Sequence, residues 1–418
     1  MTTNEELFEI SKKHLPGGVN SPVRAMKPDY PFFTEKGSGA FLWDMEGKQY
    51  LDYCMAYGPL IFGHARKEII EAVSAQLHNG TIYGTPTELE LNFAKKVTSL
   101  VPNIDMIRCL STGTEATMTA LRLARGFTNR DKVVKYLGAF HGAHDAVLVK
   151  AGSGALTHAV PNSHGIPGGV TKNTLLCEFN AEEELVELFD QNPEEIACVV
   201  MEPVIGNAGC IPPSIGYLES VRRICTENDS LLFFDEVITG FRLALGGAQS
   251  YFGVDADIVT FGKVAGGGLP IGILGAKKEI MEHITPQGTV YNAGTFNGNP
   301  ISITAGFTAI QLLETENPYA SLENKTTKLC KGLQDIIPNV AVQHVGSMYC
   351  MYMSSDKIAN ATDATAKADS DRFLQYQRKM LKEQVFHPPS QYECNFLSTA
   401  HSDEDIEQTI EKAKECAL

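Results

Sequence analysis

The chain has 418 residues, 43% of them apolar, and a formal net charge of −15 at pH 7. That length and apolar content support a large buried core with a second, smaller unit beside it. The acids are scattered rather than blocked, which argues against nucleic acid or an anionic membrane as partner while leaving room for a local basic pocket for a small anion. Ten cysteines occur without any CxxC pairing, several of them inside apolar runs, and read as buried free thiols of a reducing cytosol. Metal ligation is not expected. Residues 1 to 13 are acidic and amphipathic, unlike a secretory signal. No apolar run approaches the roughly 20 residues of a membrane helix, so the expected location is the cytoplasm.

Asn4 to His14 reads as a short helix, broken at Pro16-Gly17-Gly18, and Val19 to Arg24 as an extended segment. Arg24 offers a rigid fork that matches a carboxylate, although by itself it reads more simply as one half of a surface ion pair. Phe32 to Tyr53 reads as a small antiparallel meander turning at glycines. Lys67 to Gln76 and Glu88 to Leu100 are helical, the second with Leu89, Phe93, Val97 and Leu100 on one face.

Met106 to Leu110 is a strand that runs into Ser111-Thr112-Gly113-Thr114-Glu115, with a helix over Thr117 to Gly126. A strand, a turn of hydroxyls and glycine, then a helix is the general form of a phosphate cradle. The same residues would also make an ordinary N-cap. Val133 to Tyr136 is the next strand, ending at Gly138-Ala139-Phe140-His141-Gly142. Ala151 to Gly169 is rich in glycine, serine and proline and has no period; a loop of this length in a compact domain is usually functional.

Three further apolar runs end abruptly in polar residues. Ile196 to Met201 ends in Glu202, Leu231 to Phe234 in Asp235-Glu236, and Ile258 to Phe261 in Gly262-Lys263, with Gly266, Gly267 and Gly268 behind it. Such runs read as buried parallel strands whose carboxyl ends meet a cleft, the edge where open α/β sheets hold ligands. Asp235 and Lys263 together suit pyridoxal phosphate, which needs a lysine amine for a Schiff base and a carboxylate to keep its ring nitrogen protonated. A helix cap at Asp235 and a surface lysine at Lys263 form the plain alternative. Tyr217 to Glu227 is a helix, and Thr289 to Pro300 a loop before a long helix from Pro300 to Glu314. Tyr319 to Leu333 is helical, Val340 to Met353 strand-like, and Asp369 to Glu383 an amphipathic helix. A last helix begins at Asp403, after a segment containing Pro388-Pro389-Ser390-Gln391-Tyr392-Glu393. The expected division is an N-terminal segment 1–55, a large domain 56–315 and a C-terminal α+β domain 316–418.

LLFFDEVITGFR, FGKVAGGGLPIG and TVYNAGTFNGNP resemble the class III aminotransferases of fold type I. LPGGVNSPVRA narrows the resemblance to the glutamate-1-semialdehyde aminomutase family. A dozen blocks keep their order from about Leu15 to Ile410. The resemblance implies an α/β fold: a large, mostly parallel three-layer sheet domain plus a smaller α+β domain made from the N- and C-terminal segments. It implies pyridoxal 5'-phosphate as cofactor, passing through its pyridoxamine form, with Lys263 as Schiff-base lysine and proton carrier. Asp235 then serves the ring nitrogen with Val237 beside it, and Thr112, Gly113 and Thr114 hold the phosphate. Phe140 stacks on the ring where relatives often carry tyrosine, a change that keeps the π-face. His141 lies close by, with a structural role equally open, and Asn207 near the ring hydroxyl. Gly294 and Thr295 reach across to the partner's site, which implies a homodimer.

Arg24, Tyr57, Ser153 and Glu393 take positions that meet the substrate, and the 151–169 segment takes that of a gate. The implied reaction converts (S)-glutamate 1-semialdehyde into 5-aminolevulinate through a diamine intermediate, for tetrapyrrole synthesis. An intermolecular aminotransferase acting on a carboxylate-bearing amine, such as a β-amino acid, shares every cofactor residue. Only Arg24, the Ser153 loop and Glu393 argue against it. A dehydrogenase or NTPase on a similar layered fold lacks its signatures, GxGxxG after the first strand and GxxxxGK[ST].

Overall fold

The computed structural model describes residues 2–26, 31–149 and 163–417. Strands β1 (Thr34–Ser38), β2 (Phe41–Asp44) and β3 (Gln49–Asp52) form the expected antiparallel meander. Asp44 closes the β2–β3 turn: its Oδ1 accepts the amides of Glu46 at 3.0 Å and Lys48 at 2.8 Å.

The large sheet contains β4 (Met106–Leu110), β5 (Lys132–Tyr136), β6 (Thr174–Cys177), β7 (Ile196–Met201), β8 (Leu231–Glu236), β9 (Ile258–Phe261) and β10 (Gly272–Ala276). Their spatial order is β4-β10-β9-β8-β7-β5-β6. β10 runs antiparallel to both neighbours, and the other pairings are parallel. Every residue of β7, β8 and β9 is buried, as continuous apolar runs require when helices cover both faces. From β5 the chain steps outward to β6, then returns to β7 on the other side. The sheet therefore reverses direction between β5 and β7, where such folds open a ligand crevice. β10 passes so close to the turn after β4 that a Cβ at Gly272 would lie 2.0 Å from the Thr112 carbonyl oxygen.

The helix after β4 spans Gly113–Thr128 and begins four residues ahead of the expected Thr117. The cause is a capping box: the Thr112 hydroxyl accepts the Glu115 amide, and the Glu115 carboxylate accepts the Thr112 amide. Arg24 does not sit in extended chain. Pro22–Arg24 is a 3-10 turn, closed by Arg24 N–H to the Ser21 carbonyl and Ala25 N–H to the Pro22 carbonyl, both 3.0 Å.

Past the Pro300–Glu316 helix, the stretch expected as one strand is a hairpin. β11 (Ala341–Val345) and β12 (Met348–Tyr352) turn at Gly346, whose φ is +55°. β13 (Val385–Phe386) adds in parallel to β3, and β14 (Asn395–Phe396) pairs with β12, so the two ends of the chain share a sheet. The helices Tyr319–Ile336 and Asp403–Cys416 pack on this unit. All ten cysteines are free and all but Cys109 are buried. Among the described residues no helix is long and apolar enough to cross a membrane.

Candidate active site

A cavity of about 1130 Å³ is lined by residues that follow β4, β5, β7, β8 and β9, and by residues from both ends of the chain. Asp235, near the end of β8, is one of its buried acids and is 3% exposed. One carboxylate oxygen lies 2.8 Å from His141 Nδ1, and the other accepts the Thr260 hydroxyl at 3.1 Å and the Val237 amide at 3.2 Å. The Thr260 contact follows from register, since Asp235 and Thr260 face each other across the parallel β8–β9 ladder. No helix starts at Asp235, which removes the capping alternative. His141 is fully buried and is not among the cavity's lining residues; it meets Asp235 from behind.

Lys263 lines the same cavity from a 3-10 turn, Lys263–Gly266, at the end of β9. Its φ of +46° lies in the left-handed region that non-glycine residues avoid, the kind of backbone strain found at functional sites. Burial pushes its ammonium below the ordinary lysine range, while Glu393 and Glu202 pull it back up. It is not a surface lysine.

Thr112, Gly113 and Thr114 line the cavity at the start of the Gly113–Thr128 helix. The Thr112 hydroxyl is committed to the cap, so the plain N-cap alternative holds for that side chain. The first-turn amides of Gly113 and Thr114 have no partner within a helix and carry the positive end of its dipole. A Cβ at Gly113 would come within 3.0 Å of a Val237 methyl, so a larger residue would push Val237 aside by a few tenths of an ångström.

Glu202, at the end of β7, is 3% exposed, and burial pushes its carboxyl up. It accepts the amides of Phe140 and Gly206 and the side-chain amide of Asn207, each at 2.9 Å. It thereby braces both the loop after β5, which presents Phe140, and the loop after β7. Glu202 is absent from the candidates expected from sequence. Its signal was the one that marked Asp235, an apolar run ending in an acid. Thr260 and Arg242 left no such trace. Arg242 is 1% exposed and donates to Ser347 Oγ at 2.9 Å, with its guanidinium 4.8 Å from the centre of the Phe396 ring.

Arg24, Tyr57 and Glu393 line the cavity too. Arg24 is exposed and Glu393 is 7% exposed. Ser153 lies outside the described residues, as does most of the 151–169 segment. Gly294 and Thr295 are not brought to this cavity. Both are exposed, and Gly294 borders a smaller hollow of about 500 Å³ with Glu90 and Arg108.

A helix start that favours anions, a buried carboxylate and a depressed amine thus share one cavity. Together with the cradle that Gly113 leaves open, this set fits a phosphorylated cofactor carrying a ring nitrogen and a carbonyl or amine group.

The chain matches the aminotransferase class-III family over residues 23–378. The glutamate-1-semialdehyde 2,1-aminomutase of Methanococcoides burtonii is 53% identical over 411 residues, covering 98% of this chain and 97% of that one. Its namesake from Archaeoglobus fulgidus is 49% identical over 416 residues, covering 99% and 98%. Among solved structures, an omega-transaminase from Sphaerobacter thermophilus is similar with a TM-score of 0.91 at 29% identity, over 99% of this chain and 96% of that one.

Proposed function

This chain belongs to the class-III aminotransferases, and from that premise we propose that it is a pyridoxal phosphate enzyme converting glutamate 1-semialdehyde into 5-aminolevulinate for tetrapyrrole synthesis. The observation that supports this most is the end-to-end match to aminomutases, in a chain where a single cavity collects Arg24 and Glu393 together with Lys263 and Asp235.

When bound, the cofactor supplies an electron sink and an exchangeable amino group. The first-turn amides at Gly113 and Thr114 hold its phosphate, with Thr112 capping the helix that carries them. Asp235, oriented by His141 and Thr260, keeps the ring nitrogen protonated. Val237 and Asn207 line the cavity where the ring would lie, and Phe140 would offer it a face. Lys263 Nζ takes and returns the proton at the reacting substrate carbon. Burial favours its neutral form, and the nearby Glu393 favours its charged form. Arg24 forks onto the substrate carboxylate. Glu393, and Ser153 in the loop beyond the described residues, border the substrate.

The active species is a cytoplasmic homodimer, with domain boundaries at 55/56 and 315/316. In it Gly294 and Thr295 complete the partner's phosphate site, which is in keeping with their exposure in a single chain. Mixing Thr295→Ala protomers, which should bind cofactor more weakly, with inactive Lys263→Ala protomers then regenerates one intact site per heterodimer. No activity after proven exchange would mean that each site is complete within one chain.

The deciding experiment supplies glutamate 1-semialdehyde and no other amino donor or acceptor. Many turnovers to 5-aminolevulinate are expected. Turnover that needs an external amine would identify an intermolecular aminotransferase instead.

A further inference from the structure

We propose that Tyr57 is the positioning residue for Arg24, its hydroxyl gripping the turn that presents the guanidinium to the cavity. The Tyr57 hydroxyl donates to the carbonyl of Val23, the residue before Arg24, at 2.6 Å. Among the described residues, the Pro22–Arg24 turn otherwise closes on itself through short-range bonds and belongs to no sheet or long helix. A segment of that kind is placed by its long-range anchors. The inference rests on the reading of Arg24 as the carboxylate fork and deepens it: Tyr57 sets how firmly a carboxylate-bearing substrate is preferred.

The backbone around Tyr57 is built at a cost that calls for a reason. Met55, Ala56 and Tyr57 have φ of 44°, 56° and 64°, three successive non-glycine residues in the left-handed region, and Gly58 follows at 119°. Four groups of contacts hold this turn. Asp52 Oδ1 accepts the amides of Cys54 at 2.7 Å and Met55 at 3.1 Å. The Tyr57 amide returns to the Cys54 carbonyl at 2.8 Å, and Gly58 N–H to the Met55 carbonyl at 3.0 Å. Fully buried Arg242 donates to the Gly58 carbonyl.

What the strain achieves is visible on both sides of the turn. On one side a Cβ at Gly58 would lie 3.2 Å from Lys263 Cδ, so the backbone abuts the proton-carrying side chain. On the other, the phenol holds Val23 and through it Arg24. One rigid turn therefore spans from the reacting amine to the carboxylate fork. Burial, with Cys54 and Glu393 beside it, pushes the phenol well above its ordinary pKa, so it stays a donor.

The test measures kcat and KM of the holoenzyme and of Tyr57→Phe, Arg24→Leu and the double variant. Substrates are glutamate 1-semialdehyde and an amino aldehyde of similar length without the carboxylate. Tyr57→Phe is expected to raise KM for the carboxylate substrate about 3- to 10-fold, the scale of one lost hydrogen bond. KM should carry more of the change than kcat, and the loss should be smaller with the carboxylate-free compound. It should add nothing to Arg24→Leu. The visible absorbance of the cofactor should stay as in the wild type. If Arg24→Leu is selective for the carboxylate but Tyr57→Phe is neutral, acts equally on both substrates or is fully additive with it, the positioning role is overturned and the Arg24 reading stands. If Arg24→Leu itself acts equally on both substrates, the carboxylate reading fails and the role of Tyr57 falls with it.

Discussion

At one end of the cavity Glu202, Asp235 and Lys263 sit at the ends of three adjacent buried strands, while at the other Arg24, Tyr57 and Glu393 come from three irregular segments. The first group is placed by a hydrogen-bonded ladder. Parallel register alone brings Thr260 against Asp235. The second group is placed by single long-range contacts, such as Tyr57 to Val23 and Arg242 to Gly58. The difference teaches where each end is vulnerable. A substitution at a strand end acts on the chemistry common to all substrates, whereas one at the irregular end acts on which substrate is held.

Lys263→Ala lies where both ends meet and should have the largest effect. Turnover with either substrate should fall by at least about 10⁴-fold, the upper range for a lost general acid–base group. The fold should survive, because the side chain lines a cavity and its loss opens no hole in the packed core. Near-wild-type rates would place the proton carrier elsewhere. Circular dichroism and thermal unfolding check the fold.

Asp235→Ala tests the strand-borne end. It removes the partner of both His141 and Thr260. A loss of about 10²–10³-fold in kcat is expected, the scale for one preorganised electrostatic group, and it should be equal for substrates with and without a carboxylate. A loss confined to the carboxylate substrate would erase the distinction between the two ends.

Arg24→Leu tests the irregular end. It should cost roughly 2–4 kcal/mol in kcat/KM, about 30- to 1000-fold, for glutamate 1-semialdehyde. The loss should shrink for a carboxylate-free analogue, with cofactor binding intact by absorbance titration. Equal losses on both substrates would mean that Arg24 supports the fold.

The unit that carries Glu393 should respond to acid in a way that leaves the sheet's chemistry aside. Tyr53 stacks on His387 and His401 at centroid distances of 5.4 and 4.8 Å. Burial pushes both imidazoles down to about 4. The neutral form of His401 is built in: Nδ1 accepts the Ser398 amide at 3.1 Å, while Nε2 lies 3.1 Å from the Asp52 carbonyl oxygen and donates to it. An unfolded chain protonates these side chains near their ordinary value of about 6.5. The folded chain does so only near 4. Their contribution is therefore complete above about pH 6.5 and is lost as pH falls from there toward 4, by roughly 3 kcal/mol for each histidine. Denaturant unfolding at pH 7.5, 6 and 5 measures it. Stability that stays level or rises toward pH 5 would contradict the assignment.

Much of the strand-borne end was legible without a structure. Runs such as Leu231 to Phe234 cannot be exposed, and the polar residue that stops each run marks the sheet edge where backbone meets solvent or ligand. Asp235 and Lys263 were found on that ground, and the Thr112 turn on its sequence of strand, hydroxyl-and-glycine turn and helix. The same rule applied to Glu202, whose bracing of Phe140 and Asn207 nevertheless shows only when the loops after β5 and β7 are adjacent. His141 was placed near the cofactor, but its contact is with Asp235, because what stands behind a carboxylate depends on the neighbouring strand.

Local patterns also misjudged some boundaries. The Gly113–Thr128 helix starts early because a threonine and a glutamate three residues apart cap each other. The Pro22–Arg24 segment curls into a turn, since a fixed proline φ serves a 3-10 turn as well as extended chain.

By itself the sequence determined the alternation of strands and helices, the edge of the sheet where chemistry sits and the residue types it offers, because burial and chain periodicity are local consequences of side-chain hydrophobicity. Tertiary structure alone decided that residues 24, 57 and 393 line one cavity with Lys263. It alone decided that three left-handed residues in a row are held at 55–57, and that Arg242 lies buried beneath them. No local preference favours those arrangements. They exist because contacts between residues tens to hundreds of positions apart together outweigh the strain of forming them.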